Sequence, residues 1–476
     1  MPHFILLLFP KIMFQRPVSS IFLLSLLALS FPTQAQAQVK AQSKAKQLDA
    51  LASQYAQAGQ LNGTVLVAEH GKVIFTKGYG LANREWSQPN AADTKFRIGS
   101  LSKQFTAMLV MQLVEKGQLK LDAPISTYLP DYPKPSADKI TLHQLLAHTA
   151  GLPNYTAQPG FQAISRQPTT PAAFVSTFAG LPLEFEPGTS YRYSNSGYFV
   201  LGAIIEKVTG KSYAQVLSEQ ILQPLRMQDT GYDLPGTILP RRAAGYVKNE
   251  QETANAPYLD MSVPYAAGAL YSTVQDLYKW DQALYTTQLL SAAGRATMFK
   301  PVKNGYGYAW ISSKGVMGKD TVNLLWHNGR ISGFGTELMR APQDRNLVIV
   351  LDNEGGTQVE DLTIDLMGVL YGRPGTGPKA APAAPKAIAV DAATLRTYTG
   401  KYALAPTFLL TVTTENDQLY AQATGQPRFA LVPTAPGRFA VASIQAELEF
   451  VKNAGGTIEK VILHQGGQHS PGAKVE

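Results

Sequence analysis

The chain contains no cysteine. Disulfides, thiolate metal sites and a lipid-attachment cysteine are thereby excluded. An exported protein without disulfides is ordinary in a bacterial periplasm and less expected among eukaryotic secreted proteins. Beyond the N-terminus, no run approaches the roughly 20 apolar residues that a membrane-spanning helix needs. Blocks of consecutive Lys and Arg are also missing. The 42 basic against 34 acidic residues give a net charge of +8, but they are spread along the chain. That distribution argues against a nucleic-acid partner. The basic excess serves solubility and mildly favours anionic partners. No internal repeat of fixed period is present.

What the N-terminus does have is a targeting pattern. Lys11 and Arg16 precede an apolar core at residues 21–29, and Ala35-Gln36-Ala37 offers a small-x-small processing site. Residues 1–37 are expected to be a signal peptide, with the mature chain periplasmic or secreted at a bacterial envelope and no transmembrane segment after cleavage. The roughly 440 residues that follow are too many for one ordinary core. A Pro/Ala/Gly-rich stretch at residues 373–388 reads as a linker. It divides a domain at residues 38–372 from one at 389–476.

The C-terminal part shows short alternating runs at residues 408–414, 418–422, 428–432, 438–441, 447–451 and 460–464. Turn residues such as Glu415-Asn416-Asp417 separate them, which predicts a meander curling into a small all-β barrel. The first domain opens with a helix near residues 41–58 and a hairpin around His70-Gly71. Residues 100–300 read as mainly helical. Strands return at 307–311, 322–326, 335–339 and 347–351, and a helix at 359–370 closes the domain. Strands from both ends with a helical block between predict an α+β fold. It has an antiparallel sheet flanked by helices, an inserted all-α lobe, and a cleft between the two.

Three short patterns carry the chemistry. Ser100 and Lys103, in Ile98-Gly99-Ser100-Leu101-Ser102-Lys103, lie three residues apart where an apolar-periodic helix begins. Positions i and i+3 share a helix face, so the amine can meet and activate the hydroxyl. Ser43/Lys46 and Ser136/Lys139 have the same spacing without that context. A plain N-cap serine also fits Ser100. Tyr193-Ser194-Asn195 sits in the turn before a helix at residues 198–208, and Tyr-x-Asn occurs nowhere else. His327-Asn328-Gly329-Arg330 is expected at the end of a strand, where glycine allows close backbone approach and the Arg330 N–H can face a substrate oxygen. His143 and His148, five apart, are poorly spaced for joint ligation and read as structural.

In this order the three patterns resemble the motifs of the serine β-lactamase and penicillin-binding protein superfamily. The resemblance lies with its class C β-lactamase, D-Ala-D-Ala carboxypeptidase, D-aminopeptidase and esterase branch. Phe96-Arg97-Ile98-Gly99-Ser100, Leu145-Leu146-Ala147-His148-Thr149-Ala150-Gly151 and Gly268-Ala269-Leu270-Tyr271-Ser272-Thr273 extend the likeness over residues 45–370. Tyr398-Thr399-Gly400-Lys401-Tyr402 is similar to the start of a lipocalin-like β domain that follows this module in some members. The resemblance implies an acyl-enzyme at Ser100, with Lys103 or Tyr193 as the base. It implies Asn195 on the substrate amide or on Lys103, and an oxyanion hole from the Ser100 and Arg330 N–H groups. No metal or cofactor is implied.

One departure matters. Many relatives carry Lys-Thr-Gly as the third motif, and that lysine helps hold a substrate carboxylate. Here His327-Asn328-Gly329 stands in its place, with Arg330 as the potential compensating cation. The expected protein is an exported serine hydrolase. Its substrate is a small peptide or ester, peptidoglycan-derived fragments included, and its class a D-amino-acid peptidase, carboxypeptidase or esterase. The alternatives are a β-lactamase and a catalytically idle envelope ligand-binding protein.

Overall fold

The computed structural model describes residues 34–158, 160–248, 252–355, 359–379, 386–405, 408–424, 428–441, 446–465 and 468–476. The apolar core of the expected signal peptide and residues 380–385 of the expected linker lie outside them. Residues Ser43–Glu476 form one compact unit, distinct from Met1–Gln42.

The elements that position the site are few. Helix α1 (Gln34–Gln57), which runs across Ala35-Gln36-Ala37, leads to the hairpin β1 (Gly63–Glu69) and β2 (Lys72–Gly78). Helix α2 (Ser102–Glu115) opens the helical lobe, which includes α3 (Asn195–Thr209) and the single turn α4 (Tyr265–Gly268). Strands β3 (Ile311–Met317), β4 (Asp320–Ile331), β5 (Phe334–Ala341) and β6 (Asn346–Asp352) follow, and then α5 (Val359–Leu370). The sheet is antiparallel in the order β3-β4-β5-β6-β1-β2, so both ends of the domain meet in one sheet. Side chains alternate across it. Val65, Val67, Val348 and Val350 pack under α1 and α5 with Leu48, Tyr55, Leu362 and Leu366. Leu66, Ile349 and Leu351 face the helical lobe with Phe105, Leu109 and Trp280.

Helix α2 runs through the middle of that lobe, and every residue from Ser102 to Leu113 is buried. Its polar members are therefore obliged to find partners inside. The Ser102 hydroxyl accepts from Leu270 N–H, Gln104 accepts from the Trp280 indole, and Thr106 donates to the Ala266 carbonyl.

Two expectations need correction. Residues 307–311 are not a strand, because β3 begins only at Ile311. Ala309 has φ +61°, Tyr308 N–H donates to the Met298 carbonyl, and Tyr306, Tyr308 and Trp310 are all buried. An alternation of aromatics there marks a tight turn packed on all sides. Conversely, β4 does not end before His327 but continues through Gly329 to Ile331, paired with β5 throughout.

The C-terminal barrel closes with eight strands: β7 (Gly400–Ala405), β8 (Phe408–Glu415), β9 (Gln418–Ala423), β10 (Arg428–Ala435), β11 (Arg438–Val441), β12 (Ala446–Lys452), β13 (Ile458–Gln465) and β14 (Gln468–Lys474). The last pairs with the first at Tyr402↔Lys474 and Ala403↔Ala473. Eight strands enclose a space that side chains can fill. Here Tyr402, Phe439, Phe450, Leu410, Leu431 and Val461 fill it, with Phe439 and Phe450 rings 5.5 Å apart.

Candidate active site

Ser100 sits where a short strand pairing (Phe96–Arg97 against Leu270–Ser272) gives way to the 3-10 turn Gly99–Leu101 and then to α2. Neither helical start has a side-chain cap, so the Ser100 hydroxyl is not used as an N-cap. Instead it lies 2.9 Å from Lys103 Nζ. Lys103 is fully buried, and its Nζ has two further partners at 2.8 Å, Asn195 Oδ1 and the Ala267 carbonyl. Burial pulls its pKa well below that of an ordinary lysine.

That environment decides the orientation of the amine. A neutral amine has two N–H donors and one lone pair. Asn195 Oδ1 and the Ala267 carbonyl can only accept, so they take both donors. The lone pair is left facing Ser100, whose hydroxyl can donate. Asn195 itself is held at the first turn of α3, its N–H and Nδ2 both reaching Asn154 Oδ1 at 3.1 and 3.3 Å.

Tyr193 places its ring 4.9 Å from Lys103 Nζ. Its hydroxyl is buried without a hydrogen-bond partner among the described residues. Burial raises its pKa, and the nearby Ser100 hydroxyl opposes only part of that shift. The phenol is therefore protonated at neutral pH.

His327 is buried, and both of its ring nitrogens are engaged, Nδ1 with the Asn328 carbonyl at 2.6 Å and Nε2 with the Tyr306 hydroxyl at 2.9 Å. Burial, with a contribution from Lys103, lowers its pKa to about 3. Tyr306 also meets His148 Nε2 at 3.2 Å, and His148 Nδ1 accepts from Ser194 N–H at 3.2 Å. For neutral rings, one proton assignment satisfies every contact. Ser194 N–H must donate, so His148 gives its Nε2 proton to Tyr306. Tyr306 then donates to His327 Nε2, and His327 Nδ1–H donates to the Asn328 carbonyl. His148 also packs its ring 4.2 Å from that of Tyr193. The network ties the second and third sequence patterns together.

Gly329 and Arg330 lie against the Ser100 turn. Gly99 has φ +50°, a left-handed conformation suited to glycine, and a Cβ there would lie 3.0 Å from the Arg330 nitrogen. A Cβ on Gly329 would overlap the Ile98 carbonyl oxygen and the Thr336 hydroxyl, which are themselves hydrogen-bonded at 3.0 Å. Gly329→Ala is therefore expected to displace the Ser100 turn. It should lower kcat on any accepted donor by about 100-fold, the scale of a 1 Å misplacement, and lower the unfolding midpoint. Steady-state kinetics with a thermal melt checks both. The Arg330 guanidinium does not face the cleft unpaired. It forms a two-pronged ion pair with Glu360 on α5, at 2.9 and 2.7 Å.

Of the seven residues singled out in the sequence, Ser100, Asn195 and Arg330 line a cleft of about 380 Å³, Lys103 bonds the first two, and Tyr193, His327 and Gly329 pack beside them. The Ala267 carbonyl, Tyr306 and Asn154 were not anticipated. Ala267 acts through its backbone, which no side-chain pattern reports. Among the described residues, no group of three His, Asp or Glu side chains is placed to hold a metal ion.

An antiparallel sheet, a helical lobe and a buried amine on a serine hydroxyl at their junction define a serine hydrolase. The Beta-lactamase family model matches residues 48–368, and a domain of unknown function (DUF3471) matches residues 384–474. Penicillin-binding protein 4* of Bacillus subtilis (strain 168) is 32% identical over 433 residues, covering 86% of this chain and 94% of that protein. Esterase EstB of Burkholderia gladioli is 35% identical over 206 residues, covering 40% of this chain and 52% of the esterase. The solved structure of D-amino acid amidase from Ochrobactrum anthropi SV3 superposes with a TM-score of 0.60 at 25% identity, over 70% of this chain and 99% of the amidase. The chain belongs to the β-lactamase family, with an eight-stranded barrel appended.

Proposed function

We propose that the protein hydrolyses amide or ester bonds of small acyl donors through an acyl-enzyme on Ser100, as a D-amino-acid peptidase or amidase or as an esterase of the bacterial envelope. The observation that carries this reading is the Lys103 amine held between two obligate acceptors with Ser100 as its third neighbour. In this mechanism Ser100 attacks the carbonyl carbon while its proton passes to Lys103. The backbone N–H groups of Ser100 and Arg330 receive the developing oxyanion. As the tetrahedral intermediate collapses, a proton returns from Lys103, directly or through the Tyr193 hydroxyl, to the departing amine or alkoxide. Water then attacks the ester, giving its proton to the same amine, and frees Ser100. Tyr193, kept protonated by burial, suits a donor's part better than a base's. His327 and Gly329 fix the edge of β4 beside the nucleophile.

The names of the relatives, an esterase and a D-amino acid amidase, support the substrate range. The targeting pattern at the N-terminus and relatives named penicillin-binding proteins support export. Among the described residues, no helix is long and apolar enough to cross a membrane. Replacement of the third-motif lysine by a neutral histidine argues against efficient β-lactam hydrolysis.

Initial rates on a p-nitrophenyl ester, D- and L-amino-acid p-nitroanilides, a D-Ala-D-Ala peptide and a chromogenic cephalosporin test the reading, with intact-mass analysis of the quenched enzyme. Turnover of an ester or a D-amino-acid donor is expected, with an acyl mass increment that maps to the Ser100 peptide and the cephalosporin slowest. No turnover and no adduct with any donor would point instead to a binding protein.

A further inference from the structure

The central groups of the cleft offer no positive charge to a substrate. Lys103 is enclosed by its three partners, His327 is neutral with both nitrogens engaged, and Arg330 is clamped to Glu360. Yet the lining of the cavity contains two arginines and no aspartate or glutamate. The second is Arg166, exposed at the wall that follows the helical turn Phe161–Ile164. Among the described residues it makes no ion pair, and no hydrogen bond ties its guanidinium.

Its backbone, by contrast, is fixed. The preceding Ser165 is buried, its carbonyl accepts from Asp260 N–H at 2.9 Å, and its hydroxyl donates to the Gln162 carbonyl at 3.0 Å. Asp260, whose N–H makes the first of those bonds, has its oxygens engaged by Ser262 N–H at 3.0 Å, the Ser262 hydroxyl at 2.6 Å and the Tyr258 hydroxyl at 3.1 Å. Phe161, Leu259 and Val263 make the neighbouring wall apolar. The same wall is hydrogen-bonded to the start of α3, through Asn154 to Asn195 and through Tyr155 N–H to Ser196 Oγ at 3.0 Å. It therefore stands on the Asn195 side of the nucleophile.

We propose that Arg166 is the carboxylate anchor of this cleft. The favoured acyl donors then carry an anionic group on their acyl portion, separated from the scissile carbonyl by an apolar stretch. An unpaired guanidinium presents a fork of donors matched to a carboxylate. The proposal rests on the serine-hydrolase reading above and adds to it the substrate class.

The test compares mono-p-nitrophenyl adipate with p-nitrophenyl hexanoate, which are matched in chain length and differ in the terminal carboxylate. In Arg166→Gln, the adipate-to-hexanoate ratio of kcat/KM is expected to fall about tenfold or more, the scale of one charge-assisted hydrogen bond, mainly through KM. A ratio unchanged from wild type overturns the proposal. Titration calorimetry with monomethyl and dimethyl adipate, carried out on Ser100→Ala protein with and without Arg166→Gln, reads the same preference where no turnover intervenes. Preference for the monoester that disappears with Arg166 supports the anchor, and equal binding of both overturns it. Full turnover of both nitrophenyl esters by Ser100→Ala would instead sink the serine-hydrolase reading, and the Arg166 ratio would still stand as its own result.

Discussion

Ser100→Ala is expected to lower kcat/KM on the preferred donor by at least about 10⁴-fold, the scale seen when a serine nucleophile is removed. The unfolding midpoint should barely move. The second half of this expectation is the more discriminating. Lys103 Nζ has three partners, Ser100 Oγ, Asn195 Oδ1 and the Ala267 carbonyl. A neutral amine keeps both of its N–H bonds when the serine oxygen is deleted and loses only a donor to its lone pair. A charged ammonium would be left with a buried N–H unpaired, at a cost of about 1–3 kcal/mol or more. Chemical denaturation of the two proteins at neutral pH therefore reports the protonation state of Lys103. A large loss of stability would overturn the neutral assignment, and substantial residual turnover would overturn Ser100 as the nucleophile.

Lys103→Met should lower activity and remove most of the pH dependence of stability. With Lys103 as the base of the proposed mechanism, its loss lowers kcat by about 10² to 10⁴. Methionine removes a buried amine whose burial favours loss of its proton, and it also leaves the Asn195 Oδ1 and the Ala267 carbonyl without a donor, so the pH dependence of stability is the readout and not its absolute value. The sign follows from proton counting. The folded pKa lies well below the ordinary value, so between the two the unfolded state binds more protons and stability rises with pH. The window from about pH 7 to 9 is the informative one, below the unfolded lysine value near 10.4 and above that of histidine near 6.5. Below it, buried neutral His148 and His327 add a slope of the same sign. Urea titrations across that window should show wild-type stability climbing with pH and the methionine variant nearly flat. A wild-type curve as flat as the variant's would mean that Lys103 is charged in the fold.

The parts of the molecule legible in the sequence were those with a repeating or local signal. The helix at residues 359–370 follows simple periodicity, the strand Asn346–Asp352 holds a short apolar run, and six barrel strands announced themselves by alternation. The first and last did not. Gly400–Ala405 is short and opens on glycine, and Gln468–Lys474 carries Pro471 and Gly472, residues that weaken a strand signal. The stretch at 307–311 imitates a strand because Tyr306, Tyr308 and Trp310 are buried for tertiary reasons. At the site, Ser100 and Lys103 were visible because i, i+3 spacing is a local fact. The pairing of Arg330 with Glu360 joins a strand to a helix thirty residues on, and no pattern in the chain reports it. His148, read as structural, is buried and joins the network through Tyr306 to His327 while its ring packs on Tyr193.

That network runs from one peptide group to another, from the Ser194 N–H to the Asn328 carbonyl, through three side chains that each pass on a single hydrogen. Neither terminus can release or absorb a proton, so the chain is a closed circuit with no outlet. Two buried imidazoles lie beside the site, and both ring nitrogens of each are already engaged in that line. On the mechanism proposed above, proton exchange is left to Ser100, Lys103 and Tyr193. In that mechanism histidine, elsewhere the commonest shuttle, takes no proton.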